Sequence, residues 1–545
     1  MAQYSIGIDF GTLSVRAVLA NTETGHVLAQ SVFKYPHKIL TALPDGTPLP
    51  DGTAYAHPSD YIDGLQQTVR QVLKQSDISA EDVIGIGVDC TSCSVVPIDK
   101  NGVPLCMNPN YENHAHAYIK LWKHHTAAAQ ATKLQRIAET RGERFLSDCG
   151  NTINCESFFP KVLETFEQDR EVYNAAYAFM EVGEWIVLLL TGNSVISEPM
   201  AAFKRFYHPF RGYPDPEFFE AAANGFGAVV KEKLHGKILC VGQPAGQLHP
   251  RMAKILGLPE SVVVAAPSVD AHTAVPACGG KEGDLICIMG TSGVSLLVSH
   301  NDTGMDGVYS SACHAFLPDT FGHEAGQSSV GDTLAWFASR FVSPEYVDKA
   351  LEEGKSIQEY LTKQASEIPA GGTGLLALDW NNGVRTPFMD YSLSGAWLGL
   401  TNNTRPEEIY RALLESIAFG ARRIKDIYEH HGHKILRIIC AGGVAQKNKL
   451  FCQIMADVMG KEISVCTIPH VCALGSAVNG AIAASDGQNN RSIIAAMSDK
   501  ETEQYRPDFV NQETYSALFK EYLKLSDFMS GYQSVMRQCA RWRNR

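Results

Sequence analysis

Two short turns and two isolated carboxylates are the residues of this chain best suited to phosphate chemistry. Gly11-Thr12 and Gly290-Thr291 each lie between β-rich flanks, Ile6–Ala20 in the first case and Leu285–Ser299 in the second. A glycine turn presents backbone N–H groups with no Cβ in the way, and a neighbouring hydroxyl adds a donor. One such turn usually only reverses the chain; two of them, half a molecule apart, suit a polyphosphate gripped from both sides. Asp9, two residues before Gly11, has the charge to organise Mg²⁺ through water, or else it bonds to its own turn. Asp270 follows the apolar strand Val262–Ala266. A carboxylate at the C-terminal end of a strand in an α/β protein stands where ligands bind, although a capping Asp has the same pattern. Gly442-Gly443, between the strand Arg437–Cys440 and the next helix, permits close approach of a flat ring or serves only as a tight corner.

Other motifs fail on spacing or context. Glu352–Ser356 (EEGKS) ends like a phosphate-binding loop, but Lys349 stands where its first glycine is required, so it reads as a solvated helix end. Cys90 and Cys93 have C-x-x-C spacing at the end of a strand, away from the helix N-terminus that activates a thiol, and read as inert. His114, His116, His124 and His125 lie in one segment without the acidic or cysteine partners of a closed metal site, and read as surface or pocket histidines. His323 begins HEAG, which is not HExxH.

The elements that position these residues alternate between strand and helix, an α/β pattern. A helix is expected over about 61–74, with Ile62, Leu65, Val69, Val72 and Leu73 at helical spacing. Another is capped by Thr404, has Pro406 in its first turn and stops at Gly432. At 545 residues the chain exceeds one hydrophobic core, and the repeated strand–turn–strand pattern points to a duplicated domain. The expected domains are 1–262 and 263–545, joined without a low-complexity linker. A net charge of −12 argues against nucleic-acid and anionic-membrane partners. Fourteen scattered cysteines suit a reducing compartment. The most lipid-like run, Trp185–Leu190, is too short to cross a bilayer, and the first residues lack a signal-peptide pattern. A soluble, cytoplasmic protein is expected.

The motifs DFGTLSVR, MGTSG and AGGVAQKN, in that order, resemble those of the FGGY carbohydrate kinases, and the resemblance runs along essentially the whole chain. Gly183–Gly192, Leu378–Pro387, Ala473–Ala481 and the C-terminal signature at Gly395–Glu415 agree with it. The sequence departs at Leu413, where a smaller or β-branched residue is usual, and at Val444, where many members have a third glycine. The resemblance implies two actin/hexokinase-like (ribonuclease H-like) ATPase domains flanking a central cleft, with ATP and Mg²⁺ bound there. It makes Asp270 the general base, Asp9 a metal residue, and Gly11, Thr12, Ser14, Gly290, Thr291 and Ser292 the phosphate grip. Gly442, Gly443 and Asn448 then lie against adenosine, and Ser92, Trp122, Lys204 and Glu324 against the sugar. Taken singly, Trp122 also reads as core, Lys204 beside Arg205 as a solvated basic pair, and Glu324 as a helix cap.

Within the family, His114–Ala131, Ser197–Tyr207 and Pro267–Gly279 resemble the members that phosphorylate L-ribulose, a step of L-arabinose catabolism, rather than those acting on xylulose or glycerol. The resemblance implies L-ribulose as the small-molecule partner, and a homodimer, which family members often form. The alternatives are a kinase for xylulose or ribitol, an actin- or Hsp70-like ATPase with no sugar substrate, and, more remotely, a thiol-redox protein built on Cys90 and Cys93.

Overall fold

The computed structural model describes residues 2–301, 304–486, 488–498 and 502–543. Its first sheet contains β1 (Tyr4–Phe10), β2 (Ser14–Asn21), β3 (Val27–Lys34), β4 (Val83–Cys90), β5 (Pro244–Gln247) and β6 (Val263–Ala265), in the order β5-β6-β4-β1-β2-β3. The second contains β7 (Asp284–Met289), β8 (Gly293–Ser299), β9 (Ser310–Cys313), β10 (Phe321–Gln327), β11 (Arg437–Ala441), β12 (Ile463–Cys466) and β13 (Thr502–Tyr505), in the order β9-β10-β8-β7-β11-β12-β13. The path β3-β2-β1-β4-β6-β5 corresponds strand for strand to β10-β8-β7-β11-β12-β13. Both run antiparallel, antiparallel, parallel, parallel, antiparallel. The expected duplication is therefore present in the topology, and β1 and β7 are its central strands. Both are almost wholly buried and carry near-continuous apolar runs, as strands covered on both faces do.

The expected boundary at residue 263 does not coincide with the edge of the first sheet. β6, which would open the second domain, pairs parallel with β4, and Ser268–Val269 pairs with Asp89–Cys90. An apolar strand with free hydrogen-bonding edges joins the nearest sheet that can satisfy them, whichever chain half supplied it.

The helix expected over 61–74 is α1 (Pro58–Ser76), extended by one turn because the His57 side chain accepts from the Ser59 N–H. The helix expected after Thr404 runs over Pro406–His430, but its N-cap is Arg405, whose N–H donates to Glu408 at 2.7 Å. Thr404 instead closes the preceding turn, its hydroxyl accepting from the Thr401 N–H at 2.9 Å.

Two helices join the halves. α2 (Asp270–Ala277) follows the first sheet but also reaches β7 and β8, whereas α3 (Val471–Ala484) follows the second sheet and lies on β1 and β4. They pack on each other, with Ala274, Val275, Ala473, Leu474, Ala477 and Val478 all fully buried between the sheets. The contact is made backbone to backbone. A Cβ on Gly7 would stand 1.8 Å from the Ala473 carbonyl oxygen, one on Gly87 1.8 Å from that of Ser476, and one on Gly475 1.7 Å from that of Thr273. Glycine in a strand interior marks this kind of approach.

Much of the remainder of the first half is inserted in the chain between β4 and β5. Tyr55–Ala56, Val95–Ile98, Ile119–Lys120 and Ala178–Glu181 form a four-stranded sheet. Beside it, Phe158, Phe159, Phe218, Phe219 and Phe226 fill a separate aromatic core. Trp185–Leu190 lies within the ten-residue helix Val182–Thr191, and among the described residues no helix is long and apolar enough to cross a membrane.

Gly87→Ala forces a methyl group against backbone that has no rotamer to yield, so destabilisation of about 3 kcal/mol or more is expected in urea unfolding, or loss of soluble protein. A wild-type urea midpoint would show that the seam is looser than described.

Candidate functional site

The two Gly-Thr turns come together. Each is closed by a short backbone bond, Gly11 N–H to Ser14 O and Gly290 N–H to Ser292 O, both at 3.0 Å. They join antiparallel strands whose partners lie at matching places in the two sheets. Between them is a cavity of about 280 Å³. Its walls include Thr12, Ser92, Trp122, Lys204, Asp270, Gly290, Thr291, Ser292 and Glu324, nine of the residues expected at the site. Local sequence holds each turn, and α2 delivers Asp270 to the seam as its first residue.

At the acidic end, parallel pairing of β1 and β4 sets Asp9 opposite Asp89. Arg16 Nη1 donates to Asp9 Oδ2 at 3.1 Å. Asp89 is fully buried; its Oδ2 accepts from the Ser476 hydroxyl at 2.5 Å, and its Oδ1 has no hydrogen-bond partner. Burial and the charge of Asp9 push the Asp89 carboxyl well above the usual carboxylate range. Burial, then the charge of Asp9, push Asp270 up to about 7, although its Oδ1 accepts from the Ala271 N–H at 2.7 Å. A buried carboxylate with an orphaned oxygen beside two others has the composition of a site for a hard cation, which takes oxygen ligands.

The other end mixes charges. Glu324, on β10, accepts from His272 Nε2 at 2.7 Å. Burial raises its pKa, but the His272 bond and nearby cations outweigh this and hold it below the ordinary value. Lys204 ends the helix Glu198–Lys204, with its ammonium against the Tyr309 hydroxyl and 3.7 Å from Glu156 Oε2. Glu156 stays ionised: burial is outweighed by His125, Lys204 and Arg385, which bring its pKa down to about 2. Arg385 also lines the cavity, with a buried Nε that has no partner, and the buried Ser92 hydroxyl is likewise unpartnered. Trp122 links the two ends, donating from Nε1 to Thr12 Oγ1 at 3.0 Å. This set presents donors and acceptors to a small polyhydroxylated ligand, with the Trp122 ring as its apolar wall.

Lys204 and Arg205 are therefore not a solvated pair. Both are buried, and Arg205 is paired with Glu181 and Glu184. Trp122 lines the cavity rather than filling a core, and Glu324 is a strand residue rather than a helix cap.

Asp9, Gly11, Ser14, Gly442, Gly443 and Asn448 do not line this cavity. Gly442, at φ +90°, follows β11 against the Met289 backbone beside the second turn, and open space lies around Gly443. That corner therefore leaves room for a flat group. Asn448 is engaged elsewhere. Its Oδ1 accepts from the Phe451 N–H at 2.9 Å, capping the helix Lys449–Met459, and its amide donates to Thr362 at 3.2 Å.

Sequence reading missed Asp89, Glu156, Tyr309 and Arg385. Asp89 had a usable signal, since it ends an apolar parallel strand as Asp9 does. The other three come from loops whose sequences give no hint of which cavity they face. Gly331 was missed as well: its N–H donates to the Gly290 carbonyl at 2.9 Å, so the helix Gly331–Arg340 starts against the second turn.

The decoy motifs resolve as structural elements. Ser356 caps the helix Ile357–Ser366. Burial raises the thiol pKa of Cys90 well above the ordinary value and pushes that of Cys93 up to about 12. Acidic partners reach the histidines from far along the chain, but among the described residues they do not make up a metal cluster. Glu164 lies 3.0 Å from the fully buried His124, and Asp169 lies 2.9 Å from His114, both supplied from about forty or more residues away. Lys120, 2.6 Å from Glu164, supplies a further positive partner.

The profile for the FGGY family of carbohydrate kinases, N-terminal domain, matches residues 4–276, and that for its C-terminal domain matches 285–484. The chain is 40% identical to a ribulokinase of Shouchella clausii over 100% of this chain and 99% of that protein. It is 39% identical to a ribulokinase of Halalkalibacterium halodurans, over 98% and 97%. A ligand-bound xylulose kinase structure from Lactobacillus acidophilus is similar in fold, with a TM-score of 0.80 at 18% identity, covering 97% of this chain and 99% of that one.

Asp270 carries a stability cost. Its folded pKa of about 7 lies above the ordinary value of 3.8, so folding is penalised once the unfolded chain ionises. Relative stability is greatest below the unfolded value and is lost as pH rises through the folded one. Asp270→Asn keeps the acceptor for the Ala271 N–H and removes the charge. The ligand-free variant is expected to melt above wild type at pH 8, with the gap closing toward pH 5. A variant that melts lower at pH 8 would contradict this electrostatic account.

Proposed function

The chain belongs to the FGGY family of carbohydrate kinases, and on that premise we propose that it transfers the γ-phosphoryl group of ATP to the terminal hydroxyl of L-ribulose, giving ADP and L-ribulose 5-phosphate. The observation that carries this reading is the placement of Asp270 in one cavity with both Gly-Thr turns and the group Lys204, Glu324, Ser92 and Trp122. Two full-length relatives named ribulokinase support the choice of sugar. Xylulose and ribitol are the competing substrates. The cavity-facing Asp270 and the sugar-kinase relatives favour a small-molecule acceptor over an actin- or Hsp70-like role. The reading further takes the half built on the first sheet, through Val269, as the sugar-side domain and the half that begins at Asp270 as the domain bearing the base.

In this mechanism the triphosphate lies between the turns, its oxygens accepting from the backbone N–H groups and hydroxyls of Thr12, Thr291 and Ser292. The adenine ring lies at the Gly442-Gly443 corner. Lys204, Glu324, Ser92 and Arg385 hold the sugar hydroxyls and keto oxygen, against the face of Trp122. The hydroxyl to be phosphorylated donates its proton to Asp270 as its oxygen attacks phosphorus, and ADP departs on the opposite side. Asp9 and Asp89, beside Asp270, are the carboxylates that would hold Mg²⁺, directly or through water. When bound, that ion neutralises phosphate charge. Closure of the two halves excludes water and limits wasteful ATP hydrolysis.

Asp270→Asn is expected to lower kcat by ~10²–10⁴, with nucleotide affinity little changed. Near-normal turnover in a coupled ADP-release assay would remove Asp270 from the role of base. Because the base must be ionised and its pKa is about 7, wild-type kcat/KM should fall about tenfold per pH unit on the acid side of neutrality. Mixing the protein with MgATP and individual ketoses, with the product identified by NMR, should rank L-ribulose above xylulose and ribitol in kcat/KM. A higher rank for either competitor would reassign the sugar.

A further inference from the structure

Away from the cleft, one group of side chains has the composition of a metal centre. Glu198 opens the helix that ends in Lys204, and Cys240 follows the short strand Lys237–Leu239. Cys313 ends β9, and His314 follows it. Glu198, Cys313 and His314 each offer a ligand atom, and these atoms lie within 4.8 Å of one another. Cys240 adds a fourth: its Sγ is 3.3 Å from His314 Nδ1 and 3.5 Å from Glu198 Oε2. His314 Nδ1 is in turn 2.8 Å from Glu198 Oε1.

Two thiols, an imidazole and a carboxylate are the ligand types zinc takes. With metal–ligand bonds of about 2.0–2.3 Å, a tetrahedral centre sets its ligand atoms roughly 3.3–3.8 Å apart. The Cys240 distances to His314 and Glu198 fall within that range, and the ligand atoms of Glu198, Cys313 and His314 lie within 4.8 Å of one another. The supporting loops are braced. The Cys240 N–H donates to Gln243 Oε1 at 3.0 Å and the His314 N–H to the Thr320 carbonyl at 2.7 Å. His314 is held at φ +51°, a left-handed conformation that non-glycine residues adopt only when their surroundings hold them there. Cys240 and His314 line a cavity of about 550 Å³ that gives an ion a way in. A protein metal site requires such a path along with its ligands.

We propose that Glu198, Cys240, Cys313 and His314 form a zinc-binding site that joins the two halves of the molecule. Glu198 and Cys240 come from the first half, and Cys313 and His314 from the second. A bound ion ties the helix bearing Lys204 to the strand β9, which begins one residue after Tyr309. The site is separate from the Mg²⁺ carboxylates and does not depend on which sugar is phosphorylated.

The test uses untagged full-length protein stripped of metal, given Zn²⁺ or Co²⁺ and dialysed. About one zinc per chain is expected by elemental analysis, as for a four-ligand centre. Co²⁺ should give thiolate-to-metal and tetrahedral d–d absorption bands. In the Cys240→Ser/Cys313→Ser double variant, zinc affinity should drop by more than the ~10–100-fold caused by loss of a supporting partner, and the cobalt bands should vanish. Far-ultraviolet circular dichroism and sugar-kinase turnover of the metal-free variant should match wild type, and His314→Ala provides a second ligand deletion. Wild-type protein that retains no zinc, a cobalt spectrum without thiolate bands, or a double variant that binds like wild type would overturn the proposal.

Discussion

The close approach of α3 to the first sheet is the contact on which the rest of the molecule depends. Carbonyl groups of Ala473 and Ser476 lie where the Cβ atoms of Gly7 and Gly87 would be, and the Thr273 carbonyl lies where that of Gly475 would be. No side chain intervenes at those points, so the separation of the halves is set by backbone atoms, which have no rotamers to adjust. Each half also lends a helix to the seam, α2 reaching β7 and β8 while α3 covers β1 and β4. The two central strands are thereby placed so that their turns face one cavity, with Asp270 at the start of α2 between them.

That placement has an electrostatic consequence. The seam brings Asp9, Asp89 and Asp270 together, and burial together with the charge of Asp9 raises the pKa of both Asp89 and Asp270. A carboxyl poised near neutrality is a better proton acceptor for a sugar hydroxyl than one at its ordinary value, because it binds the proton more firmly while still ionising at working pH. The arrangement costs stability in the ligand-free protein. At the opposite end, Glu156 and Glu324 remain ionised because Lys204, Arg385 and His272 surround them. The cavity therefore has an anionic end and a charge-balanced end.

Trp122 makes the two ends one site. Its indole N–H is committed to Thr12 of the first turn, so the wall of the balanced end is tied directly to that turn. A similar arrangement holds Lys204, which is fixed by Glu156 from the insertion and by Tyr309 from the second half. A cation held by groups from both halves registers their relative position directly.

Local pattern in the sequence was sufficient for the α/β class, the duplicated strand–turn–strand unit, both glycine turns and Asp270 as the carboxylate to watch. These depend on backbone periodicity and on residues close together in the chain. The resemblance to a kinase family extended this to Lys204, Glu324, Trp122 and Ser92, all of which the fold brings to one cavity. What only tertiary structure decided involves partners far apart in sequence. β6 adds to the first sheet, Glu164 reaches His124 across forty residues, and Arg385 and Glu156 arrive from separate loops. Asn448 was drawn into capping a helix instead of facing the cavity. Periodicity reports which face of an element is buried, but it carries no information about which distant element covers that face. A charged side chain acquires its protonation state and its role only after that covering is complete.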